Sequence, residues 1–217
     1  MKKSIFVAVF LLAAAVAGAD TLNVTGPLGF TYSGVYVGPI GAVLNGVTPL
    51  QIICNDYVDT TYVPSSFSVN VSTIPSLTYA MYAQSGPPTS QQLLNYKMTA
   101  MLIWQMNQPG NQSAPVIGAL NFAVWNLFNP VGVPDPAGSA GWVTWAQSQD
   151  PSAWDYNDFR VYTPLVGGNN GHGGVNQEFV SGAASQVPEP ATGALAGLGA
   201  GLIGFGVIGR RWRQKKE

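Results

Sequence analysis

Apolar and polar positions change rhythm several times along this chain, and each change predicts an element. Residues 67–72, Phe-Ser-Val-Asn-Val-Ser, alternate strictly, the period of a half-buried antiparallel strand. Residues 21–24, 30–37 and 50–58 read as further strands, with Gly and Pro between them. At Pro87-Pro88 the period lengthens. Thr89 with Gln92 forms a capping box and opens a helix through Gln105, with Leu94, Met98, Met101 and Leu102 on one face. Pro109 and Gly110 end it. Ser113, with Pro115 in the first turn, starts a second helix to Phe128 that turns Ile117, Leu120, Val124 and Leu127 inward. A third helix is predicted over 139–147, carrying Trp142 and Trp145. Two late strands, 159–163 and 175–180, flank the glycine-rich loop 167–174. The order β, α, β without an internal repeat predicts an α+β fold: an antiparallel β-sheet with a central pair or trio of helices.

Two longer apolar runs lie outside this pattern. Lys2 and Lys3, the run 5–16 and Ala17-Gly18-Ala19 have the three regions of a secretory signal peptide, with cleavage expected after Ala19. About 12 apolar residues are too few to cross a bilayer. Residues 191–209 carry no charge, and as a helix they would rise roughly 28 Å, close to the hydrocarbon thickness. Basic residues follow at once: Arg210, Arg211, Arg213, Lys215 and Lys216. Lys and Arg beside a span stay cytoplasmic, so the chain before it should lie outside. Ahead of the span stand Val187, Pro188, Glu189 and Pro190. The prolines hold the acidic tripeptide extended and out of the helix, which suits a protease recognition site. The expected organisation is a signal peptide (1–19), a secreted domain (20–186) and a tail (187–217). That tail comprises a motif (187–190), one C-terminal transmembrane helix (191–209) and a basic cytoplasmic end (210–217).

This tail resembles the PEP-CTERM sorting signal of exopolysaccharide-producing Gram-negative bacteria, whose motif is Val-Pro-Glu-Pro, one span and an Arg-rich end. The resemblance implies an exosortase-like protease as partner, after Sec-type export and signal peptidase. It also implies an anchored precursor, released to the cell envelope or extracellular matrix. Residues 187–190 would then be acted upon.

Between residues 20 and 190 the only bases are Lys97 and Arg160, against nine acids, a net −7. A surface of that sign repels phosphate backbones, which excludes nucleic acid as a partner. Asp56 and Asp59, and the group Asp155, Asn157 and Asp158, lack the glycine and terminal glutamate of an EF-hand loop. They read as solvated, or paired with Arg160, so no metal or cofactor is expected. Trp104, Trp125, Trp142, Trp145 and Trp154 lie in or after the helical half. Most should be core, while exposed ones would suit a matrix polysaccharide.

Cys54 is the single cysteine, so no intramolecular disulfide forms. Flanking Ile52 and Ile53 favour a buried structural thiol. Asn121 falls on or beside the apolar face of the second helix, where an amide needs partners. The segments 53–56 and 120–125 together resemble the two halves of bacterial surface thioester domains, in which a strand Cys and a helix Gln join and capture amines. Here Asn121 stands at the glutamine position, one methylene shorter. A third arrangement, Cys54 with His172 and Asn176, has the residue types of a papain-like hydrolase, but His172 sits in a glycine run without a rigid scaffold. The expected function is a structural or adhesive surface protein, not an enzyme. A covalent thioester-type adhesin using Cys54 and Asn121 is the alternative, and a secreted hydrolase the second.

Overall fold

A computed structural model describes residues 19–27, 29–83, 87–135, 138–165 and 170–187. Most of the signal-peptide expectation (1–18) and the tail expectations (Pro188, Glu189, Pro190, the span 191–209 and the bases Arg210, Arg211, Arg213, Lys215 and Lys216) lie outside them. Among the described residues no helix is long and apolar enough to cross a membrane.

The first strand, β1 (Asp20–Pro27), is followed by a small hairpin of β2 (Phe30–Tyr32) and β3 (Val35–Val37). Sequence alternation over 30–37 predicts one strand, but Ser33 and Gly34 take φ of 49° and 81°. Two successive positive φ values make the tight turn that reverses a chain with the strands' own twist. Next come β4 (Ile40–Leu44) and β5 (Thr48–Cys54), joined through Asn45-Gly46-Val47. The strand predicted to reach Val58 stops at Cys54. There the Asp56 side chain accepts from the amides of Val58 and Asp59, a local turn that competes with the ladder. β6 (Ser65–Thr73) carries the strict alternation.

The helical layer matches its predicted bounds closely: α1 (Ser90–Met106), α2 (Ala114–Phe128) and α3 (Ser139–Gln147). Both halves of the Thr89/Gln92 capping box are formed, at 3.2 and 2.8 Å. Four short strands remain: β7 (Trp154–Asp155), β8 (Arg160–Pro164), β9 (Phe179–Ser181) and β10 (Ser185–Gln186). The predicted strand 175–180 is mostly loop. The Gln177 amide is given to the Thr61 hydroxyl and only from Phe179 on does the segment join the sheet.

Six strands close an antiparallel barrel in the order β1-β4-β5-β9-β8-β6. Successive side chains of a strand face opposite ways, and this divides the core in two. Cys54, Tyr162 and Phe179 point into the barrel with Leu22, Ile52 and Val69. Their neighbours Ile53, Val161 and Val180 point outward, against Leu102, Leu120 and Val124 of the helices. α2 serves both regions, with Phe122 and Trp125 packed on the barrel side and Ile117, Leu120, Val124 and Leu127 among the helices. That double duty explains why it is buried almost all round.

Candidate functional site

The end of β5 and the approach to β9 run side by side, and the polar groups of the fold collect there. Cys54 is 5% exposed. Its thiol donates to the carbonyl of Asp56 at 2.9 Å, and the Gln177 side-chain amide donates to the same carbonyl at 2.8 Å. Burial, and after it the charge of Asp56, push the Cys54 thiol far above the usual thiol range, so it is protonated at neutral pH. A thiol in that state is a poor nucleophile.

Asn121 reaches Cys54 across 67 residues of sequence, through the backbone. Its Nδ2 donates to the Cys54 carbonyl at 3.3 Å, its Oδ1 accepts from the Gly38 amide at 2.8 Å, and Trp125 Nε1 adds a bond to the Cys54 carbonyl at 2.9 Å. The buried amide therefore ties α2 to β5 and to the end of the β2–β3 hairpin. The sequence expectation of partners for this amide holds, and the sulfur of Cys54 faces the Asp56 carbonyl instead.

Next to Asn55, at the seam between β5 and β9, lies Glu178, fully buried. One carboxylate oxygen takes Asn55 Nδ2 at 2.7 Å and the Tyr96 hydroxyl at 2.6 Å; the other takes the Met81 amide and the Thr163 hydroxyl. Desolvation outweighs these four bonds and raises the Glu178 pKa. On the far side of Asn55, Asp56 Oδ1 accepts from Tyr82 at 3.0 Å, while Oδ2 has no hydrogen-bond donor. Burial, and after it the charge of Asp56, raise the Asp59 pKa.

Above Cys54 opens a cavity of about 580 Å³. The β2–β3 hairpin contributes Tyr36, the loop after β5 contributes Tyr57, Asp59, Thr60 and Thr61, and Trp125 and Gln177 complete the wall. Tyr57 is held against Trp125, with ring centroids 5.1 Å apart. A second cavity of about 580 Å³ lies among the helices, past Asn95, Asn126 and Asp135. Its described lining has neither an aromatic ring nor a thiol.

The remaining predicted residues fall elsewhere. His172 is exposed, lies against Tyr62 with ring centroids 3.8 Å apart and planes tilted by 37°, and gives its amide to Asn170. Asn176 is buried, with its Oδ1 unpartnered. Arg160, expected to pair with a carboxylate, donates instead to the backbone carbonyls of Asn157 and Phe159. The side chain of Asp155 is occupied by Asn157. Among the described residues no group of three or more His, Cys, Asp or Glu could hold a metal ion. Trp125 and Trp154 are core, and Trp104, Trp142 and Trp145 are half-buried. Ala19 is exposed, and Val187 is 47% exposed with its amide given to Ala153.

Sequence reasoning missed Glu178, Tyr96, Gln177 and Tyr57. The one available signal was an acid set directly before the apolar pair Phe179-Val180 in a chain this poor in charge. Comparison with protein-family models, with curated proteins and with solved structures finds no match for this chain.

Proposed function

We propose that the chain is an exported protein of the cell surface or extracellular matrix, with a structural or adhesive barrel domain. In this reading it is sorted through residues 187–190 by an exosortase-like protease. The observation that carries the reading is the position of the folded unit in the chain. β10 ends at Gln186, and Val187, the first residue of the motif, is half exposed, which supports a motif that follows the folded unit in the chain. Export by Sec-type machinery, removal of residues 1–19 and a temporary anchor at 191–209 belong to the same reading.

The second reading, a thioester adhesin, draws support from the meeting of Asn121 and Cys54 beneath an open cavity. In that chemistry the Cys54 sulfur bonds to the side-chain carbonyl carbon of Asn121, and the amide nitrogen leaves as ammonia with the thiol proton. The sulfur's placement toward Asp56 and its high pKa favour the first reading.

One measurement tests both: the intact mass and cell fraction of the mature protein, beside a Pro188→Ala/Glu189→Ala/Pro190→Ala variant. Sorting requires a product trimmed near both ends in the wild type and an untrimmed, membrane-held variant. Identical masses and locations would sink it. A thioester would lower the mass by one ammonia and bind methylamine; a full calculated mass and a thiol freely alkylated after unfolding exclude it.

A further inference from the structure

We propose that the cavity above Cys54 binds a short run of neutral sugar rings, stacked on Tyr36 and Tyr57 and hydrogen-bonded by Asp59, Thr60 and Thr61. This deepens the adhesive reading above and rests on it for the source of the ligand.

Charge removes the first group of competitors. The described lining holds one acid, Asp59, and no Lys or Arg. A phosphate, nucleotide or uronate would therefore meet no counter-charge, on a domain that is already acidic. Polarity removes the second. A lipid or other wholly apolar guest would cover the hydroxyls of Thr31 and Thr60 and the Asp59 carboxyl without giving them partners, and each such group costs free energy when dried. The remaining chemistry is one with apolar faces and many hydroxyls at its edges.

A sugar ring has both. Its C–H faces lie on aromatic rings, which keep a polar tip in water while offering a flat apolar body. Its hydroxyls alternate as donors and acceptors, as threonine hydroxyls and a carboxyl require. The volume, about 580 Å³, falls inside the roughly 300–1,000 Å³ range of small-ligand sites.

A second observation independently marks the same place. Among the described residues eight large apolar side chains are exposed; Tyr36 is in the lining itself, and Val58, Tyr62 and Val175 belong to the two loops that contribute other residues to it. Tyr62 lies against the His172 ring, with centroids 3.8 Å apart and planes tilted by 37°. Exposed apolar groups concentrated on the segments that build one cavity favour a contact surface, whereas single ones scattered over a protein do not.

The walls are also held in place before any ligand arrives. Tyr57 packs on both Phe122 and Trp125, and Gln177 is fixed by bonds to Thr61 and to Asp56. Walls that need no ordering cost less on binding.

The test uses the full chain in a detergent without a sugar headgroup, titrated with hexamers of β-glucose, α-glucose, mannose and galactose, and with hexagalacturonate. Binding is read by calorimetry and by saturation-transfer NMR. At least one neutral hexamer should bind with a Kd of roughly 10 µM to 1 mM. Tyr36→Ala should weaken it about tenfold and Asp59→Asn about threefold, stacking and one hydrogen bond being of that order. Tyr36 is 58% exposed, so its loss leaves the fold intact, which the melting temperature checks. Val131→Ala, remote from the lining and 96% exposed, should bind as the wild type. The proposal is overturned if no neutral hexamer binds at about 10 mM, if Tyr36→Ala binds equally well, or if hexagalacturonate binds as tightly. Because binding is measured on purified protein, failure here leaves the sorting reading standing, and failure of sorting leaves this result unchanged.

Discussion

Glu178 places a carboxyl where water cannot reach it, and its four partners decide which form the fold prefers. The Met81 amide and Asn55 Nδ2 can only donate, whereas the hydroxyls of Thr163 and Tyr96 can turn and accept. A protonated carboxyl can accept from Met81 and donate to Thr163 through one oxygen. A glutamine cannot, since its NH2 would face either Met81 or Asn55 donor to donor. Glu178→Gln should therefore lower stability by about 1–3 kcal/mol, measured by denaturant unfolding. The pH dependence has a defined sign. Burial raises the folded pKa above the ordinary 4.5, so the stabilisation from the protonated form is complete below that value and is lost as pH rises through the folded pKa. The gap in stability between wild type and Glu178→Gln should widen as pH falls toward 4.5 and narrow toward neutrality. A gap that grows with pH would contradict the assignment. At this scale the sequence was legible where a residue stood alone: one cysteine, and one amide on an apolar helix face. Glu178 was not, because its partners Asn55, Tyr96 and Thr163 lie up to 123 residues away and no spacing along the chain announces them.

Helices were readable from the sequence because their signals are local. The capping box, the prolines and the apolar stripe all fall within a few residues of the element they define, and α1, α2 and α3 end close to where those signals put them. Strands depend on partners, and the errors follow. β4 went unseen although Asn45-Gly46, flanked by apolar runs, is a strong hairpin signal; the Asn45 side chain indeed clamps the turn onto β1 through Thr21 and Asp20. β9 starts later than predicted because Gln177 is bonded to Thr61 and Asp56 of the loop after β5, and it leaves the sheet at Gly182. That residue has φ +74°, and a Cβ there would lie 2.1 Å from the Asp158 carbonyl oxygen. Gly182→Ala combines a left-handed strain with a backbone clash and should cost at least about 2 kcal/mol, seen as a lowered melting temperature. An unchanged melting temperature would show that β9 departs along another path.

Taken whole, the molecule is an α+β unit whose fold class was legible and whose closed topology was not. Alternation reveals which faces are buried, but the pairing of β1 with both β4 and β6 depends on the three-dimensional return of the chain. The charge pattern, by contrast, was plain in the sequence and has a global effect. With two bases against many acids between residues 20 and 187, the folded domain repels itself more than the expanded chain does. Raising salt from about 10 to 150 mM shortens the Debye length from roughly 30 to 8 Å, and the melting temperature should rise. A fall would mean that unseen ion pairs outweigh the repulsion.

The ring order also sets a timetable. Its last-made member, β9, slots between β5 and β8, so the wall keeps a gap until residue 181 is in place, only a few positions ahead of Val187. If the chain is exported as proposed, a barrel made from its N-terminus outward would stay open and pliable until residues 179–181 emerged, and would harden only then.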